Sequence, residues 1–195
     1  GVLKKVEDDN LVNGMFDIPE GVTKIDDDVF YSNRELKTIR IPEGVIEIGE
    51  KAFWECTELK KVELPNSLQT IGSSAFTGCT SLEYIEIPNG VINIGNNAFE
   101  RCSNLRQIVL SNNMETIENN LFFMCTSLEE VVMPDNLKTI NKGTFASLRE
   151  EYGITGICEA YYIITPISEI YNMYMAASNK NYQLFEENIR EYLGT

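Results

Sequence analysis

Four cysteines that recur every 23 residues carry the most obvious chemistry in this sequence: Cys56, Cys79, Cys102 and Cys125. Thiolates bind zinc and pair as disulfides, so the row suggests both. Side chains at one position of a repeated unit, however, point the same way from successive units. The chain also has no histidine to complete a zinc set. We therefore interpret the row as a buried ladder of small, weakly polar thiols, and we predict no metal and no cofactor.

The other residue types give little support for catalysis. Without histidine the chain lacks a Ser-His-Asp or Cys-His arrangement and the usual general base near neutral pH. It also lacks a glycine-rich phosphate loop. Glu63 and Glu86 can lie on adjacent strands and face outward, but neighbouring carboxylates of this kind favour a solvated face over an acid-base pair. The acidic cluster 26–28 lacks the spacing of an EF-hand and indicates a turn. We predict that the protein is not an enzyme.

Repeats of 23 residues, without insertions, position these side chains. A phenylalanine marks every copy. An isoleucine always precedes it by five residues, and in the first five copies a leucine follows it by six. A short fixed period indicates a solenoid, in which each unit buries its apolar face only against its neighbours. The phenylalanines are Phe30, Phe53, Phe76, Phe99, Phe122 and Phe145, and we expect them to form one stacked ladder.

Each copy also contains a short alternation that predicts a β-strand. In the second copy Ile39 and Ile41 point inward, and Pro42 ends the strand because proline cannot donate to a ladder. Strands that recur once per coil in the same direction form a parallel sheet. A turn with positive φ is predicted on the return path, where three copies have glycine: Gly49, Gly72 and Gly95. The other copies have Asp26, Glu118 and Asn141 at this place, so glycine is not obligatory.

The repeat pattern L-x-x-I-x-I-P-x-x-V-x-x-I-G-x-x-A-F-x-x-C resembles the leucine-rich repeats of the BspA-like type, which occur in many bacterial surface proteins and in some protozoan ones. The resemblance covers about residues 18–148. It implies an α/β solenoid, a right-handed coil of about six repeats with a parallel sheet on its concave face. It further implies adhesion or protein binding without catalysis, at the cell surface or outside the cell.

The flanking segments do not follow the repeat. Residues 1–17 contain turn signals on either side of two apolar residues and predict a strand or hairpin that caps the first coil. Residues 149–195 predict a short strand at Tyr161–Ile164, a helix after Thr165–Pro166 and a second helix from Tyr182 to Leu193. The expected organisation is thus an N-terminal cap over 1–17, repeats over 18–148 and a C-terminal segment over 149–195.

The C-terminal segment carries a second resemblance, which covers residues 161–194. This stretch is similar to part of the abortive-infection phage-resistance family, in which a comparable L-F-E-x-N-[IV]-R run occurs. The resemblance implies an alternative function, an intracellular bacterial defence protein whose repeats are the sensor. The matching residues are Leu184, Phe185, Glu186, Asn188, Ile189 and Arg190.

The composition limits the partners and the location. With 30 acidic and 16 basic residues the net charge is −14, which argues against a nucleic-acid partner. No run of 18 apolar residues predicts a membrane span, and the given sequence shows no signal peptide. That absence and the cysteines without paired spacing keep a cytoplasmic location open beside the cell surface.

The outward positions of the strands are the candidate binding site, because they vary from copy to copy while the core does not. We predict that Tyr84, Val109 and Val132 form an apolar strip near the carboxyl half of the concave face and contact a protein partner. The alternative is that three scattered apolar residues carry no function. Polar neighbours on the same face complete the predicted site: Arg40, Lys61 and Gln107.

Overall fold

The computed structural model describes residues 1–6, 10–141 and 143–144, and these residues form a parallel β-solenoid. They contain no α-helix, so the α component of the expected α/β class is wrong for this part of the chain. Its return path consists of turns and two-residue strands, whose backbone groups form hydrogen bonds with the neighbouring coils instead of along a helix. The helical C-terminal segment predicted over 149–195, and with it Phe145 of the phenylalanine ladder, lies outside the described residues.

Three bands of backbone hydrogen bonds join successive coils. The first band consists of three-residue strands that pair in parallel at a register of 23 residues, as in Ile39 opposite Val62. Their central residues are buried, as the alternation predicts, except for Phe16 in the first strand, which is half-buried. The strands are β2 (Met15–Asp17), β4 (Thr38–Arg40), β6 (Lys61–Glu63), β8 (Tyr84–Glu86), β10 (Gln107–Val109) and β12 (Glu130–Val132).

A second band of two-residue strands runs along the return path. This band was not predicted, because two residues are too few to show an alternation in the sequence. The isoleucine that ends each of the five middle strands is buried in the core, while the residue before it is more exposed. Leu3 and Ile140, which end the first and last strands, are half-buried and pack against the core. The strands are β1 (Val2–Leu3), β3 (Lys24–Ile25), β5 (Glu47–Ile48), β7 (Thr70–Ile71), β9 (Asn93–Ile94), β11 (Thr116–Ile117) and β13 (Thr139–Ile140).

Turns around the phenylalanines form the third band. The backbone N–H of Phe53 donates to the carbonyl of Ala75 in the next coil over 2.8 Å, and Phe76 donates to Ala98 in the same way. Two residues of each turn have a left-handed backbone, one two positions before the phenylalanine and one two positions after it. The first set is Asp28, Lys51, Ser74, Asn97 and Asn120; the second is Ser32, Glu55, Gly78, Arg101 and Met124.

The described phenylalanines form the predicted stack in the core. Phe30 and Phe53 are parallel with ring centroids 5.0 Å apart, and the next pairs follow at 5.1, 5.4 and 6.3 Å, ending at Phe122. Phe16 closes the first end of the stack edge-on, at 5.5 Å from Phe30. Each stacked pair contributes about 0.5 to 1.5 kcal/mol beyond the burial of the rings.

The glycines of the return path have a different role from the one predicted. Gly49, Gly72 and Gly95 do not have a positive φ. A Cβ at Gly72 would lie 2.6 Å from the backbone of Glu50, and a Cβ at Gly95 would lie 2.4 Å from the backbone nitrogen of Ser73. Glycine is therefore needed because the coils approach each other closely at this point.

Two of the bands have a gap within the described residues. The first band divides into the sheets β2-β4-β6 and β8-β10-β12, with no ladder between β6 and β8. The second divides into β1-β3-β5-β7-β9 and β11-β13. The N-terminal residues add one strand to each band, β1 and β2, with an antiparallel bridge between Val12 and Met15. The division of the chain at residues 17 and 148 stays a prediction.

Candidate functional site

The outward side chains of the first band make one continuous surface, which we call the strand face. Its leading row holds the first residue of each strand and its trailing row holds the third, while the central residues point into the core. The leading row is Met15, Thr38, Lys61, Tyr84, Gln107 and Glu130; the trailing row is Asp17, Arg40, Glu63, Glu86, Val109 and Val132. All six predicted site residues belong to the strand face.

The three predicted apolar residues do not lie in a single row. Val109 and Val132 are direct neighbours in the parallel register of β10 and β12. Tyr84 belongs to the leading row, where it pairs in register with Gln107, so it lies diagonally across from Val109. Tyr84 is 45% exposed, Val132 is 40% exposed and Val109 is half-buried. The patch is therefore a pair of valines with a tyrosine beside it.

A depression of about 570 Å³ brings four of the predicted residues together: Lys61, Tyr84, Val109 and Val132. It extends across the gap between β6 and β8 to the turns after the strands, where Asn89 and Asn112 form part of its border. Arg40 and Gln107 are not among its lining residues. The apolar patch and Lys61 therefore line one depression, while Arg40 and Gln107 lie outside it on the same face.

Lys61 and Arg40 of the strand face both form ion pairs with the carboxylate of Glu63. The ammonium of Lys61 lies 2.6 Å from Oε1 of Glu63, and Nε of Arg40 lies 3.7 Å from its Oε2. The hydrogen bond from Lys61, followed by its charge, lowers the pKa of Glu63. These side chains are exposed, so each ion pair adds little stability, but a ligand of Lys61 or Arg40 must compete with Glu63.

Glu86 has a different environment from Glu63. Its Oε2 accepts a hydrogen bond of 3.1 Å from the hydroxyl of Tyr84, two residues earlier on the same strand. Burial, followed by this bond, raises the pKa of Tyr84. No lysine or arginine of the described chain forms an ion pair with Glu86. The carboxylate lines the depression next to Val109, its partner in register.

Sequence reasoning missed the border of the depression. Asn66, Asn89 and Asn112 recur at the 23-residue period, a signal that the sequence contains. The backbone N–H of Asn112 donates to Oδ1 of Asn89 over 2.9 Å, and Nδ2 of Asn113 donates to the carbonyl of Asn89 over 2.6 Å. These amides fix the turns that follow the strands and give the depression a polar edge.

The cysteine row lies inside the solenoid, away from the strand face. All four side chains are buried, and each thiol donates to the carbonyl of the phenylalanine 26 residues earlier, over 3.0 to 3.2 Å. Burial raises the pKa of Cys79 and Cys102 well above the ordinary value and that of Cys125 to about 12. The thiols are therefore protonated hydrogen-bond donors of the core, which is the predicted ladder.

Among the described residues, no three histidine, cysteine, aspartate or glutamate side chains come together as metal ligands. No helix in this part of the chain has the length and apolar character needed to cross a membrane.

Solved structures of bacterial repeat proteins resemble this chain. A leucine-rich cell surface protein of Faecalibacterium prausnitzii A2-165 is 33% identical, with a TM-score of 0.58 over 60% of this chain and 31% of its own. A leucine-rich repeat protein of Eubacterium ventriosum is 26% identical, with a TM-score of 0.62 over 68% of this chain and 36% of its own. The Treponema pallidum leucine-rich repeat protein is 26% identical, with a TM-score of 0.53 over 72% of this chain and 75% of its own.

The chain spans 31% and 36% of the length of the Faecalibacterium and Eubacterium proteins. A sequence search of curated proteins finds no match.

A family model, the BspA type leucine-rich repeat region, matches residues 15–150 in six copies. This match does not support the alternative of a defence protein. Residues 161–194, which carry the resemblance to the abortive-infection family, lie outside the described part. Repeats of this kind are generally modules that bind proteins. Because the match extends over more than half of the 195 residues, the chain belongs to the BspA-type leucine-rich repeat family.

Proposed function

We propose that this chain is a non-enzymatic protein-binding or adhesion module of the cell surface, and that it binds through the strand face. One observation carries the proposal. Tyr84, Val109 and Val132 project apolar surface into a shared depression, while five of the six earlier positions on that face hold polar or charged residues. Exposed apolar clusters with a polar border are typical of protein interfaces.

The chemistry of the depression fits a protein partner. A tyrosine combines a large apolar ring with a hydroxyl, and such residues are enriched at the centres of interfaces. The charged border of Lys61, Glu63 and Glu86 can select among partners without supplying most of the affinity. The cell-surface description of the Faecalibacterium relative supports the proposed location.

A matched pair of double variants tests the use of the strand face. Val109→Lys with Val132→Lys places two charges in the depression. Ile46→Lys with Ile92→Lys makes the same change at two exposed positions outside the strand face, where the isoleucines are 44% and 51% exposed. Both variants have the same net charge and replace two β-branched aliphatic side chains, and they alter different surfaces.

The intact chain and both variants serve as baits for extracts of the producing organism and its host, and cross-linking locates the contact on the bait. We expect to capture a partner that binds saturably and forms cross-links to the strand face. The depression variant, Val109→Lys with Val132→Lys, should lose this binding, and the control variant, Ile46→Lys with Ile92→Lys, should retain it. A partner that binds the depression variant as tightly as the intact chain contradicts the proposal. Circular dichroism of both variants checks that the fold is retained.

A further inference from the structure

Glu86 stands where the trailing row changes from charged to apolar. Before it come Arg40 and Glu63, which form an ion pair. After it come Val109 and Val132, and Val109 is its direct partner in the register of β8 and β10. Glu86, Val109 and Val132 therefore occupy three successive coils along one line, and all three line the depression.

A protein that covers the two valines must also remove water from Glu86. The carboxylate receives a hydrogen bond from Tyr84, but no cation of the described chain lies within ion-pair distance of it. A carboxylate that loses its water without gaining an opposite charge is strongly unfavourable, and truncating one partner of such a pair weakens binding markedly. Glu63 does not have this requirement, because Lys61 and Arg40 already neutralise it.

The spacing of the coils gives the distance at which a partner must place its groups. Paired strands lie about 4.8 Å apart, so Glu86 is about 7 Å from the midpoint between Val109 and Val132 along the line of the trailing row. Residues i and i+2 of an extended chain are about 6.7 Å apart and point to the same side. A cation and an apolar side chain at this separation reach Glu86 and the valine pair at the same time.

Building on the proposed function, we propose that the partner presents an extended segment in which a lysine or arginine and a large aliphatic side chain are two residues apart. The cation pairs with Glu86, and the aliphatic side chain packs on Val109 and Val132. The net charge of −14 favours the approach of such a basic segment.

Synthetic peptides test this chemistry without the natural partner. The probes are capped octapeptides of glycine and serine that contain Lys-Gly-Leu, with Glu-Gly-Leu, Lys-Gly-Ala and Lys-Leu as matched controls. Binding to the full chain is followed by the methyl NMR signals of Val109 and Val132. We expect saturable shifts with Lys-Gly-Leu, at least about fivefold weaker binding for each control, and weaker binding as salt increases.

Substitution of Glu86 separates a specific pair from general attraction by the acidic chain. We expect Glu86→Gln to weaken Lys-Gly-Leu binding about fivefold to tenfold. Glu58→Gln makes the same change at an exposed carboxylate outside the depression, and we expect it to leave binding unchanged. Equal binding of the Lys and Glu peptides, no binding by any peptide, or an unchanged affinity of Glu86→Gln overturns the inference.

These outcomes remain distinct from a failure of the proposed function. If Val109→Lys with Val132→Lys abolishes capture of a partner while Glu86→Gln has no effect, the strand face binds and only the partner chemistry is wrong. If the depression variant captures its partner as well as the intact chain, the proposed function itself is wrong.

Discussion

The thiol of Cys79 donates a hydrogen bond of 3.2 Å to the backbone carbonyl of Phe53 in the preceding coil. The same bond recurs from Cys102 to Phe76 and from Cys125 to Phe99. A thiol is small enough to be buried at this crowded position and is still a weak donor for the carbonyl. The row of cysteines is thus part of the hydrogen bonding between coils, and this role requires the protonated form.

Stability should fall as the pH rises above about 8.5. The unfolded chain loses its thiol protons near this pH, whereas burial keeps Cys125 protonated until about pH 12 and also raises the pKa of Cys79 and Cys102 well above the ordinary value. The contribution of the neutral thiols is complete below the unfolded pKa and declines above it. We expect the free energy of unfolding to be lower at about pH 9.5 than at about pH 7.5 by roughly 1 kcal/mol per thiol, as measured by urea unfolding at the two pH values.

Cys125→Ala provides the control for this pH dependence. The variant lacks one of the titrating thiols, so its free energy of unfolding should decline less steeply, by roughly 1 kcal/mol over the same interval. A decline as steep as that of the intact chain would show that other groups are responsible.

Replacing the middle of the phenylalanine stack should destabilise the fold strongly. Phe76 is fully buried and lies 5.1 Å from Phe53 and 5.4 Å from Phe99. We expect Phe76→Ala to lower the free energy of unfolding by about 3 to 5 kcal/mol through the cavity it leaves. Tyr31→Ala disrupts a stack with Trp54 at the surface and should lower it by about 1 kcal/mol. Similar losses for the two variants would mean that the inner stack has no special role.

A methyl group at Gly72 should separate two coils. A Cβ there would meet the backbone of Glu50 and Gly49 at 2.6 Å, and neither can move without shifting its own coil. We expect Gly72→Ala to lower the free energy of unfolding by about 2 to 3 kcal/mol. At Gly44 a Cβ has open space and only the positive φ opposes it, so Gly44→Ala should lower it by about 1 kcal/mol. Equal losses in urea unfolding would contradict the explanation by close approach.

Glycine at a left-handed position should stabilise the fold. Arg101 has a φ of 59°, while Gly78 occupies the equivalent position one coil earlier. Relief of this strain exceeds the added entropy of the unfolded chain, so we expect Arg101→Gly to raise the free energy of unfolding by about 0.5 kcal/mol. Arg101→Ala removes the same side chain but keeps the Cβ and should leave the stability unchanged. Thermal and urea unfolding compare the two; a gain from alanine as large as that from glycine would refute the role of φ.

The repeat predicted the architecture because one period specifies both neighbours of every side chain. Once Phe53 and Phe76 are known to be 23 residues apart, stacking follows from a coil of that length, and so does the register of Ile39 with Val62. The outward positions follow from the alternation within each strand. The parallel solenoid and the membership of the candidate residues in the strand face could thus be predicted without coordinates, whereas the strands of the return path could not.

The sequence did not reveal features that depend on how the coils are spaced and turned. The role of Gly72 is set by the distance between two backbones, which a one-dimensional pattern does not contain. The register of the repeat already places Tyr84 diagonally to Val109. The predicted apolar strip did not take into account which outward position of its strand each residue occupies. The ladder is missing between β6 and β8, where the depression lies, although the sequence presents these two strands as equivalent to the paired ones.

The gaps in the two strand bands fall at successive coil boundaries. Where β6 and β8 lack a ladder, β7 and β9 are paired, and Phe76 donates to Ala98 in the next coil. Where β9 and β11 lack one, β8 and β10 are paired, and the turn bonds continue. Two of the three bands therefore remain hydrogen-bonded at each of these boundaries, and both would have to break before a mechanical load along the solenoid axis could separate the coils there.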